Sequence, residues 1–375
     1  MNDDLAASFR RWGEQLMPEL PLYGRISAAV AEDAEVRDLL LAAPPEQRLP
    51  VLLLAVVHHL LLGGADHRLA RWYPTVAGGA DAAGPAGPAD SADAVGVDAA
   101  GAAGAAYADF RDFVLSRRTE VTELVATRST QTNEIGRCSV LRPAWGLIAE
   151  EVRTPLALVE LGTSAGLNLL LDRWAYAYSP DGPRYGEPSR DVLVEAESRG
   201  APLPALGPVD LGTRIGIDLR PISVADEQAA RWLLACVWPE QPTRFARLQA
   251  AIEVARTDPP RLVSGDIVEQ LPMVAADVPA DQHLAVQNSW VLNYLPAYER
   301  QRLVSLLDEL GSARDLSWVS IESPDFVPDL HFPPRPDGAG DGDASVAVLS
   351  TWRGGRKSVR RLADCHPHGT WLHWW

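Results

Sequence analysis

The stretch Leu156-Ala-Leu-Val-Glu160-Leu-Gly162-Thr-Ser164-Ala-Gly166-Leu-Asn168-Leu-Leu-Leu-Asp172 reads as a strand, a glycine turn and a helix. Leu156–Leu161 is a short apolar run of the kind that is buried on both faces of a sheet. Gly162 and Gly166 let the backbone turn sharply and let a ligand approach the main chain. A helix over Ala165–Tyr178 would aim its first N–H groups at the turn, favouring a carboxylate or phosphate there. Glu160, at the strand tip, suits a cationic or hydroxyl-bearing ligand. The pattern is equally that of a tight strand-to-helix turn with no ligand. It also matches G-x-S-x-G, the nucleophile elbow of serine hydrolases, with Ser164 as nucleophile, the late His366 or His368 as base, and Asp325 or Asp329 as acid.

Downstream of this stretch, β-rich runs at Arg214–Leu219, Leu262–Gly265, Leu284–Gln287 and Leu316–Ile321 alternate with helical segments at Asp226–Val237, Thr243–Arg256 and Ala297–Leu310. Near-continuous apolar strands alternating with helices predict an α/β fold, a doubly wound, mostly parallel sheet. Val346–Arg353, Ser358–Ala363 and Thr370–Trp375 predict antiparallel C-terminal strands. Upstream, residues 1–76 and 107–155 read as helical, the first as an N-terminal region and the second as a cover. Between them, 77–106 is almost entirely Ala, Gly, Asp, Pro and Ser, with too little side-chain area to offset its ordering entropy, and reads as a flexible linker. The domain proper is expected over 156–375, with a Pro- and Gly-rich insertion at 179–210.

Polar groups sit at successive strand ends: Glu160, Asp218 in Gly216-Ile-Asp-Leu219, Asp266 in Ser264-Gly-Asp-Ile267, Asn288 and Ser289, and Glu322. In open parallel sheets such ends converge on the ligand crevice. Over about residues 156–323 the chain thereby resembles the class I S-adenosylmethionine-dependent methyltransferases. It also resembles a largely uncharacterised bacterial family, filed as a domain of unknown function, through Gln131-Thr-Asn-Glu-Ile-Gly-Arg137, Ser164-Ala-Gly-Leu-Asn168 and Gly216-Ile-Asp-Leu219.

The methyltransferase resemblance implies S-adenosylmethionine as cofactor and a small-molecule acceptor as substrate. It assigns Glu160, Gly162, Ser164, Gly166 and Asn168 to the methionine half, Asp218 to the two ribose hydroxyls, and Asp266 with Ile267 to adenine. Asn288 and Ser289 would line the transfer site, and Glu322 would be the general base. The pattern departs from that family where Ser164 replaces the middle glycine. About 50 residues separate Gly166 from Asp218, against about 20 in a compact dinucleotide unit. Two alternatives stay open: the serine hydrolase, and a non-catalytic nucleotide-binding or scaffold protein.

Lys plus Arg is 34 and Asp plus Glu is 50, a net charge of −16, which disfavours nucleic acid or an anionic membrane as partner. Arg353, Arg356, Lys357, Arg360 and Arg361 are a candidate basic patch. Lys357 is the one lysine, and its surroundings suit neither a Schiff base nor a P-loop. Cys138, Cys236 and Cys365 are too few and too scattered for a disulfide framework or a zinc site. The acidic N-terminus lacks the basic start of a secretory signal, and Leu49–Leu62 is too short to span a membrane, so a cytoplasmic protein is expected. Two histidines around Pro367 with no third ligand nearby favour a structural turn over a metal site. The Gln131–Arg137 cluster could cap helices or close over a cofactor.

Overall fold

The computed structural model describes residues 2–77, 99–187, 190–327 and 344–375. The chain divides into two compact units, Met1–Thr132 with Asp226–Gln249, and Asn133–Ala225 with Ala250–Trp375.

The first unit is helical. Proline occupies the first position of the helices Pro21–Glu32 and Pro50–Leu62, where its missing N–H has no intrahelical role. Pro50–Leu62 is apolar all round, and all of it except Val51 and Leu62 is buried. Its His58 is satisfied as a neutral ring, Nδ1 against the Ala235 carbonyl at 3.1 Å and Nε2 against Thr75 Oγ1 at 2.8 Å; burial pulls its pKa down to about 4. Residues 226–249 join this unit for visible reasons. Trp232 enters its apolar core, and Glu240 accepts the Leu22 and Tyr23 N–H groups at the start of helix Pro21–Glu32.

The second unit carries an eleven-stranded sheet among the described residues. In chain order the strands are β1 (Leu156–Leu161), β2 (Ala175–Ser179), β3 (Arg184–Tyr185), β4 (Leu193–Gly200), β5 (Leu211–Asp218), β6 (Arg261–Ser264), β7 (His283–Ser289), β8 (Leu316–Glu322), β9 (Ser345–Arg353), β10 (Arg356–Cys365) and β11 (Trp371–Trp374). Across the sheet the order is β3-β2-β4-β11-β10-β9-β8-β7-β1-β5-β6. The block β6-β5-β1-β7-β8 is parallel, whereas β8, β9, β10 and β11 are antiparallel in succession. The fold is thus α/β, doubly wound and Rossmann-like. The chain steps outward from β1 to β5 and β6, then returns to β7 on the other side. The strand order reverses between β1 and β7, the place where open sheets of this kind bind ligands beyond their carboxyl ends. Ala157, Val159 and Leu161 of β1, Ile217 of β5 and Val286 of β7 share one apolar layer with Leu271 of helix Ile267–Asp277 and Leu303 and Leu307 of helix Ala297–Ala313.

Several expectations are corrected. The helix foreseen over Ala165–Tyr178 is absent. Leu167–Arg173 is a kinked 3-10 segment whose Leu167, Leu169, Leu170 and Leu171 are all buried, and the aromatic-rich Ala175–Ser179 pairs as β2. No helix macrodipole therefore supports an anion at the turn. The insertion at 179–210 supplies β3 and β4, and β4 runs parallel to β11, strands that the sequence reading did not assign. A helix at Ile267–Asp277 was not foreseen. By compactness the second unit begins at Asn133, and 226–249 belong to the first. Helix Ala99–Ser116 begins inside the segment read as a linker, and the rest of that segment, 78–98, lies outside the described residues. Among the described residues no helix is long and apolar enough to cross a membrane.

Candidate functional site

Several buried polar groups of the second unit, Glu160, Thr163, Ser164, Asn288, Ser289 and Glu322 among them, lie at or just beyond the carboxyl ends of β1, β7 and β8. The β1 turn is tied to β5: Gly162 and Thr163 donate N–H bonds to the Ile217 carbonyl, and Ser164 N donates to Asp218 Oδ2 at 2.8 Å. Asp218 Oδ1 accepts from Arg220 N at 2.8 Å. The Asp218 carboxylate therefore lies against the turn with one backbone bond on each oxygen. Ser164 holds φ +53°, a left-handed conformation costly for a residue with a Cβ. At the end of β7, Trp290 does the same at φ +58°, with its indole donating to Ser345 Oγ at 2.9 Å. Two strained residues thus flank the reversal between β1 and β7.

The glycines of the turn have packing roles. A Cβ on Gly162 would fall 2.4 Å from Val291 Cγ2, and one on Gly166 would meet Pro260 Cγ at 2.7 Å. Both also have positive φ, +68° and +74°. The close approach anticipated for a ligand is made, at these two atoms, by the protein's own side chains.

Successive residues of a strand point to opposite faces, so Gln287 and Asn288 of β7 each serve a different side of the sheet. On one face Gln287 Nε2 donates to Glu160 Oε1 at 3.2 Å and its Oε1 accepts from Trp145 Nε1 at 2.8 Å. Glu160 Oε2 accepts from Thr163 Oγ1 at 2.7 Å. On the other face Asn288 Nδ2 donates to Glu322 Oε1 at 2.7 Å and to Ser320 Oγ at 3.0 Å, while Trp318 Nε1 donates to Asn288 Oδ1 at 2.6 Å. Glu322 Oε1 also accepts from the Val291 and Leu292 N–H groups at 2.8 and 3.2 Å. Its Oε2 is buried without a hydrogen-bond partner.

Burial pushes both glutamates up to about 7. The bonds from Thr163, Asn168 and Gln287 oppose this at Glu160, and those from Val291, Leu292 and Asn288 oppose it at Glu322. The cation acting on both is Arg137, buried, with Nε on the Pro367 carbonyl at 2.9 Å and Nη1 on Ser289 O at 3.1 Å and Oγ at 3.3 Å.

The raised values set a pH dependence. A carboxyl whose folded pKa lies above its ordinary 4.5 binds more protons folded than unfolded between those two values. Its contribution to stability is then fullest below about pH 4.5 and is lost as pH rises through about 7. Glu322→Gln resembles the protonated form. Chemical denaturation at pH 5 and pH 8 should show the variant gaining on the wild type by up to about 3 kcal/mol at the higher pH. An unchanged difference would mean that Glu322 titrates normally.

The expected site residues meet this arrangement unevenly. Glu160, Gly162, Ser164, Asn168, Asp218, Asn288, Ser289 and Glu322 converge on the β1, β5, β7 and β8 ends. Glu322 is fully buried, and its bonds are to the backbone and to Asn288, a structural duty rather than a surface where a substrate would be deprotonated. Asn168 Oδ1 accepts from Cys138 Sγ at 3.3 Å. Asp266 caps helix Ile267–Asp277 by accepting from Val268 and Glu269 N–H. Ile267, the residue after it, packs in the apolar layer against the sheet. The Gln131–Arg137 cluster is split, with Asn133 Nδ2 donating to the Thr163 carbonyl at 3.2 Å and Glu134 accepting from Gly136 N, whereas Gln131 and Thr132 fall in the first unit. In the candidate basic patch Arg353 pairs with Glu151, Lys357 with Asp308 and Arg361 with Asp364. Among the described residues no cluster of His, Cys, Asp and Glu is arranged to hold a metal.

Sequence reasoning missed Gln287, Trp145 and Trp318 as network members. A polar Gln-Asn-Ser run ending an otherwise apolar strand was the available signal.

The family described as "Uncharacterized protein conserved in bacteria (DUF2332)" matches residues 6–374. No curated protein matches the sequence.

Proposed function

The chain belongs to DUF2332, a family of uncharacterised bacterial proteins, and from its own geometry we propose that it is an S-adenosylmethionine-dependent methyltransferase acting on a small-molecule acceptor. The observation that carries this reading is Asp218. It stands at the tip of the strand next to β1, bonded to the Gly162–Gly166 turn, beside the point where the strand order reverses. Each carboxylate oxygen has two acceptor directions, and the backbone uses one on each, which leaves one apiece for a vicinal diol such as ribose. The strained Ser164 and Trp290 at the flanking strand ends add to the reading, because such strain concentrates at functional sites.

When bound, the cofactor supplies an electrophilic methyl group on a sulfonium. The protein's part is to hold the ribose at Asp218, keep the amino-acid end near the turn at Ser164, and fix an acceptor near Ser289, which Asn288 and its partners support from within the sheet. Positioning of that kind supplies most of the acceleration in a displacement at carbon.

The serine hydrolase is the rival that a specific observation favours, since Ser164 sits in G-x-S-x-G at positive φ. Against it, among the described residues no strand precedes β1, so the oxyanion loop that such enzymes take from an earlier strand has no source. Two assays on the full-length protein separate the readings. S-adenosylmethionine at about 100 times its Kd should add about 2.7 kcal/mol of stability and raise the unfolding temperature by several degrees. A fluorophosphonate probe should leave Ser164 unlabelled. Labelling that disappears in Ser164→Ala, with no thermal response to the cofactor, would transfer the assignment to a hydrolase.

A further inference from the structure

The turn between β10 and β11 lies at the same sheet edge as the candidate site. β9 pairs antiparallel with β8, Val346 opposite Glu322, and β10 returns to end at Cys365 opposite Ser345. His366, Pro367, His368 and Gly369 therefore emerge beside the carboxyl ends of β7 and β8. Arg137 spans from the Pro367 carbonyl to Ser289, so one guanidinium separates this turn from the end of β7. The turn is clasped to the segment 134–139. Gly369, at φ +71°, lies so close that a Cβ would fall 2.0 Å from the Gly136 carbonyl oxygen, and Ser139 Oγ donates to the Gly369 carbonyl at 2.9 Å. Within the turn His366 Nδ1 accepts from His368 N at 3.0 Å.

This clasp places His368 Nδ1 3.5 Å from Glu134 Oε2. The Glu134 side chain is 2% exposed and the His368 ring 35%. A partly exposed imidazole at ion-pair distance from a buried carboxylate is one whose protonated form the carboxylate favours, as a proton acceptor requires. Among the described residues, the charged or titratable groups on the elements packed around the turn include His366, Arg137, Cys138, Asp364, Cys365 and Arg361.

We propose that His368, with Glu134 as its charge partner, is the proton acceptor for methyl transfer, and that the acceptor substrate is a hydroxyl or amine nucleophile bearing a proton to lose. This rests on the methyltransferase reading. In the step, the lone pair of the acceptor heteroatom forms a bond to the methyl carbon. The carbon–sulfur bond breaks with its electron pair staying on sulfur, and the heteroatom's proton passes to His368 Nε2. Glu134 stabilises the resulting imidazolium through Nδ1.

The test is nitrogen-15 NMR of the His368 ring in the full-length protein, with His368→Gln for assignment and calorimetry alongside. The probe is sinefungin, an S-adenosylmethionine analogue with an amine at the methyl position. Glu134→Gln, which keeps an oxygen for Gly136 N, should lower the His368 pKa by about one unit, the scale of a lost neighbouring carboxylate; Glu134→Asp serves if that variant does not fold. Sinefungin should shift the Nε2 resonance and lower the same pKa, because its ammonium would lie near the ring. An unresponsive His368 in both carboxylate variants overturns the dyad. Sinefungin binding by calorimetry with no change at His368 overturns the catalytic role while sparing the methyltransferase. Absence of sinefungin binding removes the methyltransferase reading, and this proposal with it.

Discussion

Asp218→Ala should weaken S-adenosylhomocysteine binding at least 100-fold by calorimetry, with little loss of global stability. Hydrogen bonds to a charged group are worth about 1.5–3 kcal/mol each, and a ribose diol would make two to this carboxylate. The same substitution releases Ser164 N and Arg220 N from their acceptor, so the turn loses its tie to β5 just where the ligand would rest. Asp218 is only partly buried and Arg220 is exposed, which limits the stability cost to the one bond from the buried Ser164 N. Asp218→Asn should fall between wild type and alanine. Its single side-chain oxygen can still accept from Ser164 N, but its amide group would face the Arg220 N–H, donor against donor. Equal affinity in wild type and Asp218→Ala would remove Asp218 from the site.

Arg137→Met should destabilise the protein by about 3–6 kcal/mol in urea denaturation at pH 8, because the Pro367 and Ser289 carbonyls each lose a bond to a charged donor worth about 1.5–3 kcal/mol. Arg137 is the cation acting on both Glu160 and Glu322, and it also satisfies the Pro367 carbonyl and Ser289. Methionine fills the volume and supplies neither charge nor donors. The cost should shrink at pH 5, because both carboxyls already titrate near 7 and protonation removes the charge left uncompensated. Arg137→Lys should recover little, since one ammonium cannot reproduce a planar fork that bonds in two directions. A loss below about 1 kcal/mol at pH 8 would mean that the two glutamates do not depend on Arg137.

The parallel strands were legible because burial on both faces leaves near-continuous apolar runs. Leu156–Leu161 was read at its observed limits, and β7 and β8 to within two residues. Polar residues at the strand tips were legible for the same reason, as breaks in those runs. The segment after the glycine turn was not. Leu167-Asn-Leu-Leu-Leu is buried throughout, and nothing in its composition distinguishes a helix from a kinked 3-10 passage into a strand. The place of 226–249 depended on Trp232 and Glu240 finding partners about 200 residues away, which no local pattern encodes. Arg137 was visible as part of a polar cluster, but its link to Ser289 and to two carboxyls follows from strand order, and the clasp at Gly369 follows from where the antiparallel tail turns back.

Hydrogen exchange of the full-length protein, with and without millimolar S-adenosylhomocysteine, asks most directly whether an adenosyl compound binds at the strand ends beside the β1–β7 reversal. The amides of Thr163–Gly166 and Leu219–Arg220 should slow markedly, together with those just beyond β7. Unchanged exchange in these segments, or protection confined to residues 1–132, would contradict it.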